Sequence, residues 1–243
     1  MFAAELTKLR TVRSTYWTLL LTFALSAGLA YLFGRGFRGI EDREFDRLFA
    51  TYYSLTLGQM ALVVFGVTAV AGEFSSGSIR SSLAAMPQRG RFAAAKIMAI
   101  AAFALPVSAV TVLATYLTAQ AGLGHNHAEW ETRAFVGAVL YLVLISLFAA
   151  GVAMMLRSGA FSLAILMPLL FLGSQGLGNI PKARVVLQYL PDQAGMVIMH
   201  LTGPASDPMF GRDYGPWTGL GITALWAVAA LLGGFLMLRR RDA

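Results

Sequence analysis

Six stretches of this chain run apolar without a single charged side chain: 15–33, 53–72, 97–120, 134–156, 160–178 and 217–238. A helix needs roughly 20 such residues to cross the ~30 Å hydrocarbon layer of a bilayer. Helices also satisfy their own backbone hydrogen bonds, which an apolar solvent demands. The composition agrees, since 57% of residues are hydrophobic and 13% charged, against about 45–50% and about 25% in soluble domains. The sequence therefore predicts an all-α integral membrane protein of six transmembrane helices, one domain over residues 1–243.

The net charge of +7 does not point to nucleic acid. The cations stand at the ends of apolar runs, where orientation signals stand, and not on one soluble face. Six spans place both termini on one side. That side carries 11 of the 19 Lys and Arg residues and the other carries eight. Arg239, Arg240 and Arg241 abut the last span. The expectation is a multi-pass protein of a bacterial plasma membrane with both termini in the cytoplasm. The first run has a basic leader and a small-residue site at Gly28-Leu29-Ala30, but it continues to Phe33 and five more follow, which argues against a cleaved signal.

Several chemistries are disfavoured. The chain has no cysteine, so it has no disulfide and no thiolate ligand. The polar groups inside the spans are hydroxyls and amides, among them Ser26, Gln59, Ser108, Thr111 and Thr115. Ion-coupled carriers and intramembrane hydrolases need acids or histidines at that depth. Catalytic residues are expected to be none. His125, His127, Glu129 and Glu131 could ligate a metal, but their spacing fits no strong motif, so a solvated loop anchored by Trp130 is favoured and no metal is expected. The charges of 41–47 read as a solvated helical turn extending the second span. No Gly-x-x-x-x-Gly-Lys-Ser/Thr loop is present, so uphill transport would draw its energy from another subunit.

Three connecting segments carry structure of their own. Residues 73–96 form a basic connector. Ser75 or Ser76 can cap a helix, Ile79, Leu83 and Met86 share one face, and Pro87 stops it. This segment either transmits force from a soluble partner or lies on anionic headgroups. Before the first span, Phe2, Leu6, Leu9 and Val12 recur at helical spacing, and Glu5 can pair with Lys8. That segment is an interfacial helix or a frayed tail. Residues 179–216 show two apolar-periodic stretches, 183–190 and 193–201, broken by Pro191. They read as short helices dipping toward the outer leaflet or as an ordinary hairpin.

The pattern of Glu73, Phe74, Gly77, Ile79, Arg80, Leu83, Pro87, Arg89 and Lys96 after a second span resembles permease subunits of ABC exporters of the ABC-2 type. The likeness extends to the basic N-terminal segment, the six spans, and Leu190-Pro191 followed by Ala194-Gly195 before the sixth. It implies a coupling helix, Glu73 to Arg89, that docks on a separate ATP-binding subunit. It implies an elbow helix containing Leu6, Lys8, Leu9 and Arg10, and an outer gate at Leu190, Pro191, Ala194 and Gly195. ATP and Mg would be bound by the partner ATPase and no cofactor by this chain. A second copy or a sister permease would complete the path, in the lipid bilayer, for an amphipathic or lipid-like substrate. The alternative is a non-transporting, ABC-like module for sensing or immunity.

Overall fold

A computed structural model describes residues 2–40, 45–85, 88–176, 179–180, 182–203, 207 and 210–240, without the side chains of 80 and 83–85. Every regular element among them is helical. The long helices are α2 (Arg13–Gly36), α4 (Leu55–Ser75), α6 (Arg89–Leu123), α7 (Thr132–Leu156) and α11 (Pro216–Arg240). These five are long and apolar enough to cross a membrane, α4 being continued outward by α3 (Arg47–Tyr52). The sixth expected span is α8 (Gly159–Ser174), whose 16 residues reach only about 24 Å. Five of the six expected spans are thus met by helices long and apolar enough to cross. Helix formation stops at Ser174, short of the predicted end at 178, where Gln175 and Gly176 turn the chain.

Small residues let the long helices approach. A Cβ at Gly34 of α2 would lie 2.5 Å from the Ala119 carbonyl of α6, and one at Gly66 of α4 would lie 2.2 Å from the Ser146 carbonyl of α7. About two-thirds of α4 and α7 is buried against about one-third of α2, α6 and α11, so α4 and α7 form the centre. The outward faces, such as Trp17, Leu20 and Leu32 of α2 or Leu225 and Leu232 of α11, are exposed and apolar, as lipid-facing surfaces require.

Helix α1 (Phe2–Thr11) and the end of α11 share one face of the bundle, called here the terminal face. Arg89, at the start of α6, donates to the carbonyls of Leu238 and Arg239 at 2.7 and 3.0 Å, and Arg157, following α7, donates to Met237 at 3.2 Å. Together they satisfy the open carbonyls at the end of α11. At this face α1 (Phe2–Thr11) lies against α6, and the short α5 (Ser78–Ala85) follows α4 through Gly77. Gly77 has φ +68, a left-handed conformation that glycine adopts without a Cβ clash.

At the opposite face the chain between α8 and α11 forms α9 (Arg184–Leu187), α10 (Pro191–Met196) and a 3-10 turn, Val197–Met199. This segment dips into the bundle. Thr223, seven residues into α11, donates to the Pro191 carbonyl at 2.9 Å, and Trp226 donates to the Tyr189 carbonyl at 2.7 Å. At 1.5 Å per residue these contacts lie about 10–15 Å below the start of α11. All six residues of α10 are buried. Of the two open readings for 179–216, the dipping helices describe the structure.

Candidate functional site

The densest polar constellation lies at the terminal face. Lys8 of α1 donates to Glu5 at 2.9 Å, to Glu73 at the end of α4 at 2.7 Å, and to Ser82 of α5 at 3.2 Å. Lys96 of α6 donates to the other Glu5 oxygen at 2.7 Å and lies 3.1 Å from Glu73 Oε1. Glu5, Glu73 and Lys96 are buried, while the Lys8 side chain is 44% exposed. Burial by itself would raise the Glu5 carboxyl, but the ammonium groups of Lys96 and Lys8 outweigh it and hold the group below the ordinary carboxylate value. Burial likewise works against the Lys8 charge, and the hydrogen bonds to Glu73 and Glu5 overcome it and raise that ammonium. Glu73 Oε2 is buried and accepts no hydrogen bond among the described residues.

The sequence anticipated only the Glu5–Lys8 spacing. It placed Glu5 at the edge of an apolar arc of Phe2, Leu6, Leu9 and Val12. The structure turns α1 so that Glu5 and Leu9 face inward, while Phe2 and Val12 are 39% and 46% exposed. Three buried charges demand mutual pairing more strongly than two apolar residues demand burial, and that decides the rotation. Lys96, read as the entrance to a span, is also paired with both Glu5 and Glu73.

The expected coupling residues divide into three sets. Glu73 faces the interior. Ile79 is 4% exposed and packs with Phe92, Ala93 and Leu238, with Phe74 and Phe235 at the edge. These contacts root α5 in α4, α6 and α11. Arg89 caps α11. The side chains of Arg80 and Leu83, and Met86 and Pro87 altogether, lie outside the described residues, as do residues 41–44 of the outer charge cluster and Arg241. In α1, Leu6 is half-buried against the core and Arg10 is exposed.

Beside the charge cluster is a cavity of about 760 Å³, walled by α1, α2, α4 and α8. Glu5, Lys8, Glu73 and Lys96 form its charged end, and Val12, Ala69 and Leu163 are among its apolar lining. Thr11, Ser14 and Thr68 add hydroxyls to the same lining.

The opposite face holds charges the sequence reading missed. The absence of charge from the apolar runs suggested that only hydroxyls and amides occur at depth. The dipping segment brings Asp192 to 0% exposure and Arg212 to 5%. Gln193 bridges them, donating to Asp192 at 2.8 Å and to the Gly173 carbonyl at 2.6 Å while accepting from Arg212 at 2.9 Å. Burial pushes Asp192 up to about 6, against the hydrogen bond from Gln193 and the charge of Arg212. Burial also lowers Arg212. A Cβ at Gly173 would overlap the Asp192 carboxylate, so the glycine is what lets the segment pack there.

The expected outer-gate residues all lie in this segment. Ala194 is fully buried, its carbonyl 2.3 Å from where a Gly219 Cβ would stand, and Gly195 abuts the Tyr141 ring. Pro191 begins α10 and Leu190 caps it in extended conformation. Of the possible metal ligands, Glu131 instead pairs with His200 at 2.8 Å and Arg133 at 2.5 Å. Trp130 packs edge-to-face against Tyr116 and at a tilt against Phe135. No cluster of three or more His, Asp or Glu side chains suited to a metal occurs among the described residues.

No protein-family model and no curated protein matches the chain.

Proposed function

We propose that this chain is the permease half of an ATP-driven exporter of the ABC-2 type, in a bacterial plasma membrane with both termini cytoplasmic. The observation that carries the reading is Lys8, whose one ammonium touches α1, α4 and α5 together. A displacement of α5 by a docked ATPase would pull on Lys8 and Ser82, and through Glu73 and Lys96 on α4 and α6. Ile79 gives the lever an apolar fulcrum. Buried ion pairs suit this role, because an arrangement that must be fully paired has few intermediate positions.

In this reading α8 completes a six-pass topology together with the dipping α9 and α10, which close the outer end of the path. The neighbouring 760 Å³ cavity favours an amphipathic or lipid-like substrate. A second copy or a sister chain supplies the other half of the path. ATP and Mg bind the partner subunit.

The test is purification in mild detergent from the native host, with mass spectrometry of what co-purifies and an ATPase assay. The expected result is a P-loop protein bound in equal amount, with ATPase activity that Glu73→Gln uncouples from substrate while binding persists. A chain that purifies with no ATPase would overturn the proposal. An ATPase partner whose activity moves no substrate would favour the sensing or immunity module.

A further inference from the structure

Beyond its packing and the hydrogen bonds of Pro191 and Gln193, the dipping segment is joined at its far end to two further elements by one imidazole. His200 ends the 3-10 turn in the left-handed region, φ 58. Its Nδ1 lies 2.7 Å from Asp46 Oδ2 and its Nε2 lies 2.8 Å from Glu131 Oε2. Ionised carboxylates only accept hydrogen bonds, and a neutral imidazole has one N–H. Both contacts are therefore satisfied only when the ring is doubly protonated. With one proton gone, a nitrogen lone pair faces a carboxylate oxygen.

Neither carboxylate is free to turn away. Asp46 Oδ1 accepts from the Leu48 amide at 2.9 Å and so caps α3. Glu131 Oε1 holds Arg133 at 2.5 Å. Asp46 leads into α3 and α4, and Glu131 precedes α7. The ring thus clamps the end of the dipping segment to the two central helices.

We propose that residues 191–200 form a proton-dependent latch, seated when His200 is doubly protonated and bridges Asp46 and Glu131, and released when that ring loses a proton.

The charged groups around it give the direction. The hydrogen bond to Asp46 raises His200 above its ordinary value. Burial opposes this, the charges of Asp46 and Glu131 add to it, and Arg133 opposes it. Arg47, His127 and Glu129 line the same 470 Å³ cavity as Asp46 and Glu131. A raised histidine stabilises the seated form fully below about pH 6.5, and that contribution is lost as pH rises through the folded value. At the other end of the segment Asp192 faces Gln193, Arg212, Tyr141 and Tyr214. Its raised carboxyl works in the same sense, since the buried seat tolerates the neutral acid better than the anion. Acid seats the segment and alkali loosens it, at both ends. That the segment gates an exit path rests on the transporter reading, whereas the latch itself does not.

The chain has three histidines and no cysteine, which makes the test direct. In lipid nanodiscs, ¹⁵N-histidine protein carrying His125→Gln and His127→Gln reports the His200 ring from about pH 5 to pH 9. A single cysteine at buried Met199 reports release through its maleimide labelling rate, taken as a ratio to a cysteine at exposed His125. The expected result is two protonated ring nitrogens until above pH 6.5. The labelling ratio should then rise about tenfold as the ring titrates, with that step absent in His200→Gln. A ring singly protonated below pH 6.5 would overturn the latch. So would a ratio that stays flat while the ring titrates, or one that steps identically in His200→Gln. Neither readout involves an ATPase or a substrate, so its failure is distinct from failure of the transporter reading.

Discussion

At the terminal face, Glu5, Glu73, Lys8 and Lys96 meet in pairs between 2.7 and 3.1 Å. At the opposite face Asp192 is as deeply buried, but Arg212 reaches it only through Gln193. The first arrangement holds Glu5 below and Lys8 above their ordinary values. The second drives both groups toward neutrality. Direct pairing offsets the desolvation of a charge, and an intervening amide does so only in part. One face is therefore a fixed joint across neutral pH, and the other is sensitive to it.

The largest effect is expected from Lys96→Met. It leaves the buried Glu5 and Glu73 to share the partly exposed Lys8 alone, and breaking a buried pair costs roughly 3–5 kcal/mol. Thermal unfolding in detergent measures this, and Glu5→Gln added to Lys96→Met should restore more than half of the loss. A single variant as stable as the parent would show that the terminal face is no joint at all.

Asp192→Asn should act in the opposite direction. A carboxyl raised to about 6 from about 3.9 in the unfolded chain costs stability as pH rises between these values, about 3 kcal/mol once above both. The amide removes that penalty, so the variant should unfold later than the parent at pH 8 and alike at pH 4. Equal stability at pH 8 would erase the contrast between the faces.

A smaller effect is expected from Lys8→Met. Its partly exposed ammonium is screened by solvent, so the loss should be about 1 kcal/mol, although it removes the one contact linking α1, α4 and α5. Hydrogen exchange of residues 78–85 is the sharper readout, and it should quicken more than that of α6. The two faces should also diverge with acid. The lowered Glu5 contributes stability above about pH 4.3 that is lost as pH falls through its folded value. The protection factors of α1, corrected for intrinsic exchange, should therefore fall toward pH 3, while those of 191–200 rise from pH 8 to pH 5.

The apolar runs announced α2, α4, α6, α7 and α11 to within a few residues at most ends, because lipid-length segments leave the chain little choice. The N-terminal extension of α6 back to Arg89 was hidden, since its first turns are held by Arg89 on α11 and by Phe92 in the small core with Ile79. Glu73 stood out from its place after a span, and Glu5–Lys8 from its spacing. Lys96 reaching Glu5 across 91 residues could not be seen, because a local pattern carries no information about which distant charge will be near. For the same reason Asp192, Arg212 and His200 passed as residues of a polar loop.

The sequence by itself determined that this chain is helical and that it has helices able to cross a membrane. Hydrophobic length and the need to satisfy backbone groups act within each segment and require no partner. Only the tertiary structure decided which charges are buried and which way α1 turns. It also decided that the loop after α8 folds back among the helices. Those outcomes depend on the pairing of groups far apart in the chain, where the free energy of one charge is set by the others brought beside it.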